Sequence, residues 1–149
     1  MYKSQSMRIA FIHPSWPDGD GTGATYSATQ IISGLSNLGH EVTVFCTDHP
    51  PEDYSETEGG SLVFLDLDGR PYHSGTNLNR ELIDSAEEFE RFDIVHSYLM
   101  SAIPAMERIS SEVGVPSVVT LNAYGGICPK NDLRFLDQKE CQSNGSLKC

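Results

Sequence analysis

No apolar run in this 149-residue chain approaches the roughly 20 residues that span a bilayer, so nothing in it reads as a membrane-spanning helix. Residues 1–6 are polar and lack the apolar centre of a signal peptide. The expected setting is cytoplasmic. Basic residues are also few, 10 Lys and Arg against 21 Asp and Glu, for a formal net charge of -11. Such a surface repels nucleic-acid phosphates and anionic membranes, which sets nucleic acid aside as a partner. Acid-rich and lysine-poor chains are found in proteins of salt-loving organisms, where added salt screens the self-repulsion; an ordinary acidic protein has much the same composition. No Ser-His-Asp order, paired-carboxylate signature, P-loop or internal repeat is present. There is no C-x-x-C pair among the four cysteines, the spacing that tetrahedral thiolate sites usually need. Cys46 sits in an apolar run and reads as a small buried residue. Cys128, Cys141 and Cys149 crowd the last segment. They leave three readings open: zinc ligands with a fourth ligand from elsewhere, a disulfide between two of them, or free thiols. His13, His40, His49 and His73 are dispersed without metal-ligand spacing.

What is there begins with residues 7–48. Residues 8–13 are a near-continuous apolar run, suited to a strand buried on both faces. Pro14 and Pro17 end it. A loop over 15–23 carries Gly19, Gly21 and Gly23, with Asp18 and Asp20. The spacing of Ala28, Ile31, Ile32, Leu35 and Leu38 predicts a helix over 24–38. Gly39 follows as a natural helix stop, and residues 41–46 (EVTVFC) form a second strand. Strand, glycine-rich loop, helix, turn and strand make one βαβ unit, whose loop and strand ends face one crevice.

Residues 47–60 read as a loop with Pro50-Pro51 and Gly59-Gly60, followed by a strand over 62–67 and a turn over 68–71. A helix is expected over 78–89, because Leu82, Ile83, Ala86 and Phe89 share one face. Residues 93–96 (DIVH) form a strand. A helix is expected over 99–113, with Pro104 in its first turn or at a kink. Residues 114–116 turn into a strand over 117–121 (SVVTL). Alternating strands and helices predict an α/β, Rossmann-like three-layer fold with a mostly parallel sheet of about five strands. Residues 122–149 show no periodicity and read as an irregular, cysteine-containing tail.

These segments resemble the N-terminal, acceptor-side domain of GT-B glycosyltransferases, in particular glycosyltransferase family 4. The resemblance lies in the strand up to Pro14, in Gly21-Thr22-Gly23, in the helix after it, and in Gly39-His40-Glu41-Val42-Thr43-Val44. It continues in Asp93-Ile94-Val95-His96, in Gly114-Val115-Pro116-Ser117-Val118-Val119-Thr120-Leu121, and in the Cys-Pro of Cys128-Pro129. It implies one half of a GT-B fold, with residues 1–149 as the first domain and the second domain outside this chain. It implies an enzyme, a nucleotide-sugar-dependent glycosyltransferase of the retaining type, acting on a hydroxyl of a glycan, lipid or small molecule. A nucleoside diphosphate sugar is the implied co-substrate, with no resident cofactor and no required metal. A lipid-linked acceptor would put the protein at the inner membrane face. Residues 1–149 alone are expected to be inactive. Many relatives carry a second His two residues after the first, where this chain has Tyr98. Many carry His after Thr-Leu, where it has Asn122. A histidine in that second place typically contacts the donor sugar, so the identity of the donor does not carry over.

Candidate residues follow. Gly21, Thr22 and Gly23 precede a helix N-terminus, whose free N–H groups and dipole favour an anion; they are expected on the donor diphosphate. The alternative is a turn that binds nothing. His96 ends a strand on the crevice side and suits a sugar hydroxyl, or is a satisfied structural histidine. Tyr98, Asn122 and Tyr124 follow strand ends and would line a sugar pocket, or pack as ordinary loop residues. A rival class is an NAD(P)-binding oxidoreductase domain. Gly19-Asp20-Gly21-Thr22-Gly23-Ala24 fits G-x-G-x-x-A, and Asp48 ends the second strand where a ribose-binding acid would sit. Against it, the glycines lie well past the strand, and Asp18 and Asp20 set negative charge beside a pyrophosphate. A third class is a non-catalytic binding domain.

Overall fold

The structure is a computed structural model, which describes residues 5–14, 23–48, 61–67 and 76–122, with two short strands at 134–135 and 139–140. Five strands form one parallel sheet: β1 (Arg8–Ile12), β2 (Glu41–Cys46), β3 (Ser61–Phe64), β4 (Ile94–Ser97) and β5 (Ser117–Val119). Their order is β3-β2-β1-β4-β5. The chain therefore builds outward from β1 in one direction, then returns to the other side of β1 and builds the opposite way. β1 is central because it can be buried from Ile9 to Ile12 on both faces. Its register pairs Phe11 with Val44 on one side and with His96 on the other.

The alternation of side chains along β1 splits the core. Ile9 and Phe11 face α1 (Gly23–Asn37), with Ala28 and Ile32 of that helix and Val42, Val44 and Tyr98 of the sheet. Ala10 and Ile12 face the other layer, with Phe45, Val95, α2 (Thr76–Asp84) and α3 (Ile103–Glu112). The Phe45 ring lies 4.9 Å from that of Phe89, tilted, and 5.7 Å from that of Phe92, edge-on. A fully buried ring of this size contributes about 2–3 kcal/mol from area removed from water.

Several element ends differ from the sequence reading, each for a local reason. α1 stops at Asn37, so Leu38 is 69% exposed and outside the apolar stripe; Thr25 and Thr29 are buried there. Its end is a Schellman motif: the N–H of His40 donates to the Leu35 carbonyl at 3.2 Å, and that of Gly39 to Ser36 at 2.9 Å. Gly39 holds φ +89°, a conformation glycine adopts without a Cβ penalty. The expected helix over 78–89 is two pieces. α2 ends at Asp84, and a 3₁₀ turn, Ala86–Arg91, follows. A three-residue period places Ala86, Phe89 and Phe92 on one side, which brings both phenylalanines onto Phe45. The helix over 99–113 likewise opens as a 3₁₀ turn, Met100–Ala102, and α3 then starts with Pro104 in its first turn rather than at a kink.

β3 is shorter than residues 62–67, although Leu65 still donates to the Cys46 carbonyl at 2.8 Å. β4 starts one residue late because Asp93 is held by Arg8: its carboxylate accepts from the Arg8 N–H at 2.7 Å and from the guanidinium at 3.0 Å. β5 ends at Val119 rather than 121. The tail expected to be irregular contains an antiparallel pair, β6 (Arg134–Phe135) and β7 (Lys139–Glu140). Strands of two residues are too short to show a period. The loops at 15–22 and 49–60, the turn at 68–71 and residues 123–133, 136–138 and 141–149 of the tail lie outside the described residues.

Candidate functional site

The sheet order reverses between β1 and β4, and in open parallel sheets ligands sit outside the carboxyl ends of the strands at that point. Both strands continue past their formal ends. The N–H of Tyr98 donates to the Ile12 carbonyl at 3.0 Å, and the N–H of His13 donates to Phe45 at 3.1 Å. The carbonyl of Pro14 accepts from the N–H of Thr47 at 3.0 Å and of Asp48 at 2.8 Å, which ties the exit of β2 to that of β1.

On the α1 side of this rim four rings lie together. Phe11 meets His96 edge-on at 4.8 Å and Tyr98 at 6.4 Å, and Tyr98 meets His13 at 5.8 Å. Tyr98 is only 6% exposed and His13 3%. Tyr98 is thus part of the core under the rim. His96 is half-buried, and its Nε2 lies 2.7 Å from Thr120 Oγ1. Burial holds its pKa below the ordinary histidine value, so the ring is neutral at pH 7. Thr120 is fixed a second time, through its N–H to the Ser97 carbonyl at 2.9 Å. Asn122 follows at the surface, exposed.

Gly23 opens α1, the helix that follows β1, so the helix N-terminus lies at the same edge as the strand ends. The first turn carries no acidic side chain that would offset the positive end of the dipole. Among the described residues, a Cβ added at Gly23 would meet nothing within 4 Å. Of the expected site residues, the sheet brings His96, Tyr98 and Asn122 to one rim, with Gly23 at the head of the adjoining helix. Gly21, Thr22, Tyr124, Cys128, Cys141 and Cys149 lie outside the described residues. Among the described residues no group of His, Cys, Asp and Glu could hold a metal ion. The dinucleotide fingerprint needs a tight turn from strand to helix; here residues 13–22 separate β1 from α1. No helix among the described residues is long and apolar enough to cross a membrane.

Two residues were missed by reading the sequence. Thr120 had been one more strand residue, and only the cross-strand register gives it His96 as a partner. Tyr26, 69% exposed on the first turn of α1, presents an aromatic face at this end of the helix. A tyrosine flanked by small residues was the available signal.

The sequence profile of glycosyltransferase family 4 matches residues 21–137, most of the chain. Comparison with curated proteins gives no match. Among solved structures, the C-terminal domain of a hydrogenase from Pyrococcus furiosus is similar at 18% identity and a TM-score of 0.45, over 76% of this chain and 91% of that one. So loose a likeness carries no argument.

Proposed function

The chain belongs to glycosyltransferase family 4, and on that premise we propose that it is the acceptor-side domain of a nucleotide-sugar-dependent, retaining transferase. The reaction moves a sugar from a nucleoside diphosphate to a hydroxyl of a glycan, lipid or small molecule, and a second domain supplies most of the donor site. The carrying observation is the reversal of strand order between β1 and β4, with α1 starting at the same edge.

In this reading Gly21, Thr22 and Gly23 meet the departing diphosphate. Backbone N–H groups and the helix dipole stabilise charge as it develops on the leaving oxygen, with no reorganisation at the moment of reaction. Asn122, with Tyr124, contacts the sugar, and His96 shapes the wall beneath it. The domain's main contribution is to hold two substrates in line. No resident cofactor is invoked, and the cysteines of the tail have no assigned role. A cytoplasmic setting goes with the nucleotide sugar, and a lipid-linked acceptor would add contact with the inner membrane face.

The test uses the complete protein. Release of nucleoside diphosphate is followed from UDP-glucose, UDP-N-acetylglucosamine and GDP-mannose, alone and with simple glycoside acceptors, and NAD binding is measured alongside. Release from at least one donor is expected, with no turnover by residues 1–149. No release from any donor would overturn the reading, and tight NAD binding alongside would favour an oxidoreductase instead.

A further inference from the structure

β5 is three residues long, and among the described residues it pairs with β4 alone. Val118, opposite His96 in the register, is 45% exposed. Val119, its last residue, packs against the core on the α3 side, and beyond it two bonds fix the exit. The N–H of Thr120 donates to the Ser97 carbonyl at 2.9 Å, and its hydroxyl meets His96 Nε2 at 2.7 Å. Both anchors are themselves fixed. Ser97 is fully buried, and its hydroxyl donates to the Leu99 carbonyl at 3.0 Å and accepts from the Leu99 N–H at 3.1 Å. His96 is held edge-on against Phe11, a fully buried ring of the central strand. The hydroxyl of Thr120 is therefore referenced to the centre of the sheet, although it lies at the edge. Asn122 is two residues on, within about 7 Å along the chain.

His96 Nε2 cannot serve a sugar hydroxyl while Thr120 occupies it at that distance. We propose that Thr120 is a positioning residue of the transferase site, and that His96 acts through it, by fixing the exit of β5 and with it the place of Asn122 against the sugar. The inference rests on the transferase reading above. Valine matches threonine in shape and lacks the hydroxyl. Serine keeps the hydroxyl and loses a methyl group.

The experiment compares wild-type protein, Thr120→Val and Thr120→Ser as complete chains, using the sugar donor that releases diphosphate fastest. A neutral hydrogen bond inside a protein, part-buried as this one is, is worth about 1 kcal/mol net, or about fivefold. Thr120→Val is expected to lower the hydrogen-exchange protection of the residue-120 amide by about fivefold. It should lower kcat by at least as much and leave the donor KM within about twofold, because a misplaced contact costs more at the transition state than in binding. Thr120→Ser should restore both protection and kcat. The inference is overturned if Thr120→Val keeps wild-type protection, if it loses protection with wild-type kcat, or if Thr120→Ser fails as fully as valine. A wild-type protein that releases diphosphate from no donor overturns the transferase reading, and this inference with it.

Discussion

Placing a charge at Gly23 tests the diphosphate site while sparing the fold. An aspartate there stands in the first turn of α1, where a negative side chain favours the helix by about 0.3–1 kcal/mol. Among the described residues there is room for it, since a Cβ at this position meets none of them within 4 Å. Stability is therefore expected to hold or rise. Donor binding is expected to move the other way. A carboxylate about 7 Å from a phosphate charge costs about 2.4 kcal/mol at an effective dielectric of 20 and about 0.6 kcal/mol in bulk water. Gly23 is exposed, so a value near 1.4 kcal/mol is appropriate, about tenfold in affinity. Asparagine at the same position is the control, because it has the same shape and no charge. Any steric cost of filling the glycine's place cancels between the two variants.

The measurement is donor KM for Gly23→Asp and Gly23→Asn in the complete protein, at low salt and again near 1 M salt. The ratio of the two should be about ten at low salt. It should fall toward one at 1 M, where the Debye length is about 3 Å. Thermal melts in both conditions check that each variant is folded. Equal KM values, within twofold, at low salt and with intact melts would refute the reasoning. No diphosphate would then lie near the head of α1, and the donor would have to be held elsewhere.

Other outcomes follow from the same structure. The Arg8 guanidinium and N–H hold the Asp93 carboxyl below its usual pKa of 3.8. A depressed folded pKa contributes stability above the unfolded value that is lost as pH falls through the folded one. Asp93→Asn should flatten the melting temperature against pH below about 4 and change its slope little near neutrality; an unchanged acid limb would show that the pair is idle. Phe89→Ala removes a fully buried ring packed against Phe45 and should cost about 3–5 kcal/mol in urea unfolding; a loss under 1 kcal/mol would mean that the 3₁₀ turn repacks. If the net charge of -11 reflects adaptation to salt, the melting temperature should climb steadily from dilute buffer into molar KCl; equal stability in both would remove that reading.

The order of elements was legible because it is written in periods. Ile9 to Ile12 and Val42 to Cys46 are buried along nearly their whole length, and runs of that kind announce strands covered on both faces. Gly39 marked the end of α1 because an αL position after a helix is so often glycine. The two-part character of residues 76–91 was hidden. Leu82, Ile83, Ala86 and Phe89 satisfy a helical period, and the preference of Phe89 and Phe92 for the same partner, Phe45, is set by a strand more than 40 residues away. Local spacing holds no record of a tertiary choice between periods of 3.6 and 3.0.

The site divides the same way, and the division explains why the roles of its residues differ. The expectation that ligands lie at the rim beside β1 comes from topology, which strand and helix patterns carry. What each rim residue does depends on partners across the sheet. His96 is a candidate for the sugar on the strength of its place at a strand end; the register sets Val118 opposite it and brings Thr120 within 2.7 Å, so its Nε2 is engaged inside the protein. Tyr98, by the same alternation that puts it on the face of Phe11, is drawn under α1 into the core. Position at the end of a strand therefore says that a residue is near the crevice. Only the neighbouring strand decides whether its polar atoms face the ligand or hold the residues that do. Gly23 and Asn122 are exposed, and among the described residues neither has such a partner strand: one opens a helix and the other lies two residues past Thr120, the last residue tied to β4. Substitutions at those two positions should alter substrate contact directly, whereas those at His96 and Thr120 should alter it through geometry.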